Sequence, residues 1–464
     1  MNTKVLLFNL PPLGGDLFPI SLGYIAASLA KHNIDSVIAE IDSLTTLTDK
    51  SISRFVLKSK PAVVGLAVYQ VNIRLAMQLA KLIKMCDPSI VVVLGGPQAT
   101  FMPGRVLTQM PDVDVIIRGE GEIVISALID CLQKRGDITK VKGIAFRLGG
   151  EIYETASQPF VRNLDKLPSP YQTGVFRWSD HTGAAMLTSR GCTYNCNFCY
   201  TPRAFNRTIR VHSLHRVLAD MNVCVKNGIR RFFFADPYFT FDKKRVRAIM
   251  RGIIKKRWKI EIWCETRAEL VDADLLNLMA RAGVKYLAYG LESVDPVVNR
   301  AINKPIDLRQ FGETIRSTQS AGIEAEVFTL YGLPKQTRQS SLKTLSFLQD
   351  LGVKIIGNSA GQQLILFFGT DVLDNPRKYG IRLFKKRRPL YFSAGADFQT
   401  DWMTTRDIAF VARKYKSASA GKNSRGKGCI SLLTGRLAPA RPTDESGNVG
   451  APGAFLSCFI RDRA

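Results

Sequence analysis

Short runs of consecutive apolar residues recur along this chain, each followed by a stretch with helical spacing. Val5–Phe8, Ala62–Val68, Ile90–Leu94 and Val113–Ile117 are such runs, and Ser21–Lys31 and Arg74–Met85 carry their apolar residues on one helical face. A strand without polar alternation is buried on both sides, and strand–helix–strand repetition lays successive strands parallel. The chain is therefore an α/β protein. Residues 1–135 predict an open, doubly wound, Rossmann-like sheet, whose ligands bind beyond the carboxyl ends of the strands. Gly14-Gly15, Gly95-Gly96 and Gly119/Gly121 fall at those ends, where glycine permits close approach of backbone to a ligand.

The pattern repeats over residues 184–370. Strands are predicted at Ala185–Ser189, Arg231–Ala235, Ile260–Glu265, Tyr286–Gly290, Glu324–Leu330 and Leu364–Phe368. Helices fit between them at Leu214–Lys226, Lys243–Lys256, Ala273–Arg281, Leu308–Ser320 and Ser340–Leu351. Such units build a partial (β/α)6 barrel with its chemistry at the C-terminal strand ends. Residues 136–183 read as a connector, with a hairpin of 141–147 and 151–154 followed by a proline-bearing linker. Residues 371–416 form a C-terminal extension. Residues 417–464, rich in Gly, Ser, Pro and Ala, predict a loosely ordered basic tail.

Lys and Arg number 65 against 39 Asp and Glu, a net charge of +26. That balance suggests acidic or phosphorylated small-molecule substrates. The basic runs, such as Lys255-Lys-Arg257, read as solvated faces, and no aromatic ladder accompanies them, which disfavours nucleic acid. No apolar run approaches the roughly 20 residues that span a bilayer. The first residues read as a strand rather than a targeting segment. A cytoplasmic, reducing location is expected, where clustered cysteines are metal ligands before they are disulfides.

Three of the nine cysteines cluster in Arg190-Gly-Cys-Thr-Tyr-Asn-Cys-Asn-Phe-Cys-Tyr200, on the loop after the first strand of the second block. Three thiolates can hold three irons of a cubane cluster and leave the fourth iron open to bind and reduce a ligand. The alternative is zinc, with His212 or His215 as fourth ligand, but zinc usually takes cysteines as paired C-x2–4-C knuckles.

With Phe198 before its last cysteine, the Cys192-x3-Cys196-x2-Cys199 pattern and the region it heads, residues 184–370, resemble the radical S-adenosylmethionine (SAM) superfamily. The resemblance implies that Cys192, Cys196 and Cys199 hold a [4Fe-4S] cluster whose open iron chelates SAM. Reduction then frees a 5′-deoxyadenosyl radical. It further implies that Asp236 receives the SAM amino group and Arg267 pairs with the carboxylate. Gly290, Glu292 and Ser293 would border the ribose and methionine, and Tyr331 would lie near adenine. Phe367-Phe-Gly-Thr370 stands where relatives often carry a proline-rich turn.

Residues 1–135 are similar to the cobalamin-binding domain of a large class of these enzymes. The matching positions are Gly14, Gly15, Phe18, Gly23, Gly95, Gly96, Pro97, Gln98, Gly119 and Glu120. The Asp-x-His-x-x-Gly element that ligates cobalt elsewhere is absent, and Gln98 stands where relatives often have histidine. A vestigial domain that binds nothing is the competing reading. Only Cys86 and Cys131 lie in this block, which argues against a second cluster. Implied by the resemblance is a cobalamin-dependent methyltransferase acting on an unactivated carbon or on phosphorus, with a flavodoxin or ferredoxin as reductant. The alternatives are an oxidative cyclase using the same cofactors and, more distantly, a basic nucleic-acid-binding protein with a structural cluster. The sequence singles out no catalytic side chain.

Overall fold

The computed structural model describes residues 4–10, 17–40, 49–353, 361–384, 390 and 397–420. Gly14, Gly15, most of the tail, Cys429 and Cys458 lie outside the described residues.

The first sheet has seven strands: β1 (Val5–Asn9), β2 (Ser36–Glu40), β3 (Val63–Ala67), β4 (Val91–Gly95), β5 (Val115–Ile117), β6 (Ile144–Leu148) and β7 (Glu151–Glu154). Their order is β2-β1-β3-β4-β5-β6-β7, and only the β5–β6 and β6–β7 pairs are antiparallel. The hairpin assigned to the connector is thus the edge of this sheet. Alternate residues of β1 explain the burial on both faces. Val5 and Leu7 pack with helices Ile20–Lys31 and Gly121–Gln133, while Leu6 and Phe8 pack with Ile73–Cys86 and Pro103–Gln109.

The second sheet comprises β8 (Gly183–Met186), β11 (Arg231–Phe234), β12 (Glu261–Thr266), β13 (Val284–Glu292), β14 (Glu324–Tyr331) and β15 (Gln362–Gln363), all parallel in the order β15-β14-β13-β12-β11-β8. It curls into the expected half-barrel. Between β8 and β11 a small antiparallel pair forms, β9 (Ser189–Gly191) with β10 (Ile209–Val211). Helices outside the barrel start where side chains cap them: Ser213, Asp242, Asp272 and Asp307 each accept backbone N–H groups of the first turn.

The sixth strand differs from expectation. Pairing stops at Gln363, and Leu364, Leu366 and Phe368 turn away to bury in a core shared with Leu6, Phe8, Val64 and Leu66 of the first sheet. Their alternation records burial between the two halves rather than strand pairing.

The halves also meet at an aromatic junction. Phe18 stacks on Phe176 at 4.5 Å and lies 5.3 Å from Trp178 and 4.4 Å from His181. Leu17 forms a parallel bridge with Gly183 at the start of β8.

Candidate active site

The cysteine loop leaves β9 through Gly191, whose φ is +102° and whose missing Cβ would stand 2.0 Å from the Thr208 carbonyl oxygen. Only glycine fits there. Further contacts hold the loop. Asn197 Nδ2 donates to the Ala301 carbonyl (2.8 Å), and Asn303 Nδ2 donates to that of Asn195 (2.8 Å). The Tyr238 hydroxyl meets Thr193 Oγ1 at 2.7 Å.

Asp236, assigned above to the SAM amino group, is fully buried beneath the same loop. Its Oδ1 accepts both the backbone N–H and the hydroxyl (2.7 Å) of Ser189, and its Oδ2 accepts the Thr188 hydroxyl (2.9 Å). Burial pushes its pKa up to about 6 in spite of those donors. These contacts tie the Asp236 carboxylate to the turn into β9.

Burial raises all three loop thiols, Cys192 to about 11. Among the described residues no group of three or more His, Cys, Asp or Glu side chains converges as a metal site. Metals bind thiolates and release their protons on assembly. The donor set fits a three-sulfur centre. Of the two histidines considered for zinc, His212 is engaged elsewhere. His212 contacts the Tyr24 hydroxyl and Asp165 with its two ring nitrogens, both at 3.0 Å, and burial lowers its pKa to about 4. His215 is exposed on its helix.

The other SAM-assigned residues gather at the C-terminal strand ends. The Arg267 guanidinium lies 4.0 Å from the ring centroid of Tyr194, within the cysteine loop, and its Nε donates to Glu269 (2.5 Å). Glu292, at φ +61° on a β13 irregularity, receives Lys304 Nζ at 2.6 Å. A Cβ on Gly290 would stand 2.3 Å from that nitrogen, so glycine makes room for the pair. Ser293 is fully buried and its Oγ accepts the Asp295 N–H (3.1 Å). Phe198 packs toward the core shared by the two halves, and Tyr331 against Tyr415 (5.9 Å). The Glu265 carboxyl, two residues before Arg267, makes no hydrogen bond or ion pair among the described residues; burial raises its pKa to about 8.

The cobalamin-assigned positions divide. Gly95 and Gly119 face open space where a Cβ would stand, and Gly96 packs on the Val68 carbonyl before the short helix begun by Pro97. Phe18 is in the aromatic junction, and a Cβ on Gly23 would stand 2.2 Å from the Phe176 ring. Both pack in the junction between the two halves. Gln98 is buried and donates to the Leu390 carbonyl.

Glu120 joins the first sheet to the strand pair that leads into the cysteine loop. Arg190 and Arg210 are directly opposed on β9 and β10. Glu120 accepts both Arg210 Nη atoms (2.7 and 2.8 Å) and Arg190 Nη1 (2.9 Å), and Glu122 takes Arg190 Nη2 (2.6 Å). The two arginine side chains are 8% and 9% exposed. Arg190 also lies over the Tyr24 ring at 4.6 Å. Burial alone would raise the Glu120 pKa, but the Arg210 hydrogen bonds and the Arg190 charge hold it below the ordinary value.

Residues 186–348 match the Radical SAM superfamily, and residues 9–129 match the B12 binding domain. The chain therefore carries a radical SAM domain behind a B12-binding domain. This radical SAM enzyme is 26% identical over 366 residues to an uncharacterized methyltransferase of Pyrococcus horikoshii, covering 76% of this chain and 79% of that one. It is 27% identical over 353 residues to the anaerobic magnesium-protoporphyrin IX monomethyl ester cyclase of Rubrivivax gelatinosus, covering 73% of this chain and 63% of the cyclase. Its fold is shared with the radical SAM methyltransferase TsrM from Kitasatospora setae, solved with cobalamin and a [4Fe-4S] cluster: TM-score 0.71, 17% identity, covering 84% of this chain and 78% of that one. Among the described residues, no helix is long and apolar enough to cross a membrane.

Sequence reasoning missed the residues that organise this radical SAM site: Lys304, Glu265, Tyr194, Arg190 and Arg210. Arg190 and Tyr194, each two positions from Cys192, and Glu265, two before Arg267, lie beside residues the sequence picks out. The others depend on contacts made across the fold.

Proposed function

We propose that this enzyme is a cobalamin-dependent radical SAM methyltransferase acting on a small molecule. The observation that carries the reading is the clamp of Glu120 and Glu122 on Arg190 and Arg210, which fastens the B12-type domain to the base of the cysteine loop. A mechanism that uses both cofactors on one substrate requires the two parts to be held in fixed relation. In this reading Cys192, Cys196 and Cys199 hold the cluster, and Arg267, Gly290, Glu292, Ser293, Phe198 and Tyr331 border SAM. Asp236 fixes the loop. Gly95, Gly96, Pro97 and Gly119 would lie against cobalamin. When bound, the cluster supplies an electron to the sulfonium and cobalamin supplies a methyl group.

Glu265 gives the barrel mouth a neutral carboxyl at pH 7, a hydrogen-bond donor for a polar substrate group. The second reading, an oxidative cyclase, is favoured by the Rubrivivax relative. Anaerobic reconstitution followed by iron, sulfide and cobalamin analysis tests the cofactors. Product analysis separates the readings, since methyl transfer yields S-adenosylhomocysteine beside 5′-deoxyadenosine and cyclisation yields none. Formation of 5′-deoxyadenosine by the Cys192→Ala/Cys196→Ala/Cys199→Ala variant would overturn both.

A further inference from the structure

The half-barrel has two faces, and side chains alternate between them along each strand. Phe232, Phe234, Ile262, Cys264, Leu287 and Val327 belong to the core beneath the outer helices. The residues between them form a separate cluster on the inner face: Trp263 and Ala288, with Phe233, Tyr286 and Phe328 packed against them. The rings of Phe233 and Trp263 are 4.5 Å apart, and those of Trp263 and Phe328 are 6.4 Å apart. Trp263 and Ala288 are buried, whereas Phe233, Tyr286 and Phe328 are only partly covered by the protein. Two carboxyls share this face. Ala288 is in register with Glu265 on β12 and with Glu326 on β14, so the acids flank a methyl group. Glu326 is engaged, its Oε2 accepting Trp263 Nε1 at 3.0 Å. The Glu265 carboxyl has no partner among the described residues. None of these inner positions holds Lys or Arg. Lys304 and Arg267, at the barrel mouth, are paired with Glu292 and Glu269.

We propose that this inner face seats the substrate, and that the substrate is a flat, conjugated, uncharged ring system whose edge offers Glu265 a hydrogen-bond acceptor, a ring nitrogen or a carbonyl. The proposal rests on the radical SAM methyltransferase reading and adds the chemical class of what is methylated. Partly covered aromatic rings attract another ring through edge and face contacts that a saturated ring does not make. One polar group in an apolar seat fixes the ligand's orientation. An anionic ligand would be desolvated beside Glu265 and Glu326 with no cation on the inner face to offset the cost. Burial raises the Glu265 pKa to about 8, so below that pH the carboxyl carries the proton it donates. Of the charges around it, Lys304 favours ionisation, while Asp236 and Glu292 oppose it. Glu326 stands one strand beyond Ala288.

The test is equilibrium dialysis of three small probes against the reconstituted holoenzyme. Quinoline is flat and carries one ring nitrogen, naphthalene has the same shape without an acceptor, and phenyl phosphate is the acidic alternative. At pH 7 quinoline should bind about fivefold more tightly than naphthalene, the ratio that one net hydrogen bond supports, and phenyl phosphate should bind more weakly than either. The quinoline preference should fade between pH 7 and pH 9 as the carboxyl ionises, since quinoline itself is uncharged at both. Glu265→Gln keeps an N–H donor and should keep the preference while losing its pH dependence; Glu265→Ala should erase it. Trp263→Leu should weaken both flat probes about tenfold, and Trp263→Phe, which retains a ring, should recover naphthalene binding to within about threefold. Iron content, measured for every variant, reports whether the barrel has folded. The proposal is overturned by equal binding of quinoline and naphthalene at pH 7, by an intact preference in Glu265→Ala, or by tightest binding of phenyl phosphate. Failure of the unaltered holoenzyme to form 5′-deoxyadenosine from SAM with dithionite would instead sink the radical SAM reading.

Discussion

Replacing Glu120 by alanine should destabilise the protein by removing the shared partner of two buried arginines. The structure sets the size. Arg190 and Arg210 face each other across β9 and β10, and Glu120 is the only carboxylate paired with Arg210 among the described residues. Removing one partner of a buried pair costs about 3–5 kcal/mol. Two opposed like charges on neighbouring strands add on the order of 0.2–1 kcal/mol. Arg190 keeps Glu122, which places the expected loss near the lower end, about 3–4 kcal/mol. Anaerobic urea unfolding followed by fluorescence suits the measurement, because Trp178, Trp258, Trp263 and Trp402 all lie outside the first sheet. A fall in their transition midpoint therefore reports a disturbance carried across the junction. The pH dependence has a fixed sign. The folded-state pKa of Glu120 is depressed, so its contribution is complete above the ordinary carboxylate value and is lost as pH falls through the depressed one. Glu120→Ala should therefore lack that acid limb. In an Arg210→Met background the Glu120→Ala loss should shrink by more than half, since no bared guanidinium remains on β10. A loss under about 1 kcal/mol, or the same loss in both backgrounds, would refute the reasoning.

Glu265→Gln should stabilise the protein at pH 8 relative to pH 5 by about 1–3 kcal/mol. The raised pKa makes the native carboxyl's contribution fall as pH climbs from about 4.5 to about 8, a slope the amide lacks and thermal melts at several pH values would show. Gly290→Ala should drive Lys304 from Glu292 and cost about 1–3 kcal/mol, read by denaturation, and an unchanged stability would contradict the close approach described above. Asp236→Ala strips the buried Ser189 N–H of its acceptor and should cost about 1–3 kcal/mol and lower iron retention. Asp236→Asn, which keeps an acceptor oxygen, should retain most of the iron; equal iron loss in both would argue that Asp236 acts as a charge.

The central strands were legible because burial on both faces leaves unbroken apolar runs, and four barrel helices have the ends read from sequence. Strand β2 was not legible. Ser36-Val-Ile-Ala-Glu40 lies at the sheet edge, only partly covered, and carries no such run. The cysteines were legible because their spacing is local. The clamp was not, since Glu120, Arg190 and Arg210 lie far apart in sequence and each is an ordinary charged residue until the fold removes water from around it. Asp236 shows the complementary limit: its motif marked an important place, but which atoms it serves depends on the turn packed against it.

The Phe18–Phe176–Trp178–His181 assembly and the Leu17–Gly183 bridge also constrain how this architecture can be edited. Severing the protein between its halves would bare a hydrophobic seam on each product, leaving both prone to aggregate. Grafting a foreign amino-terminal half onto this barrel would thus require rewriting the stretch from Pro170 to Gly183 as well. The two halves must be engineered as one piece.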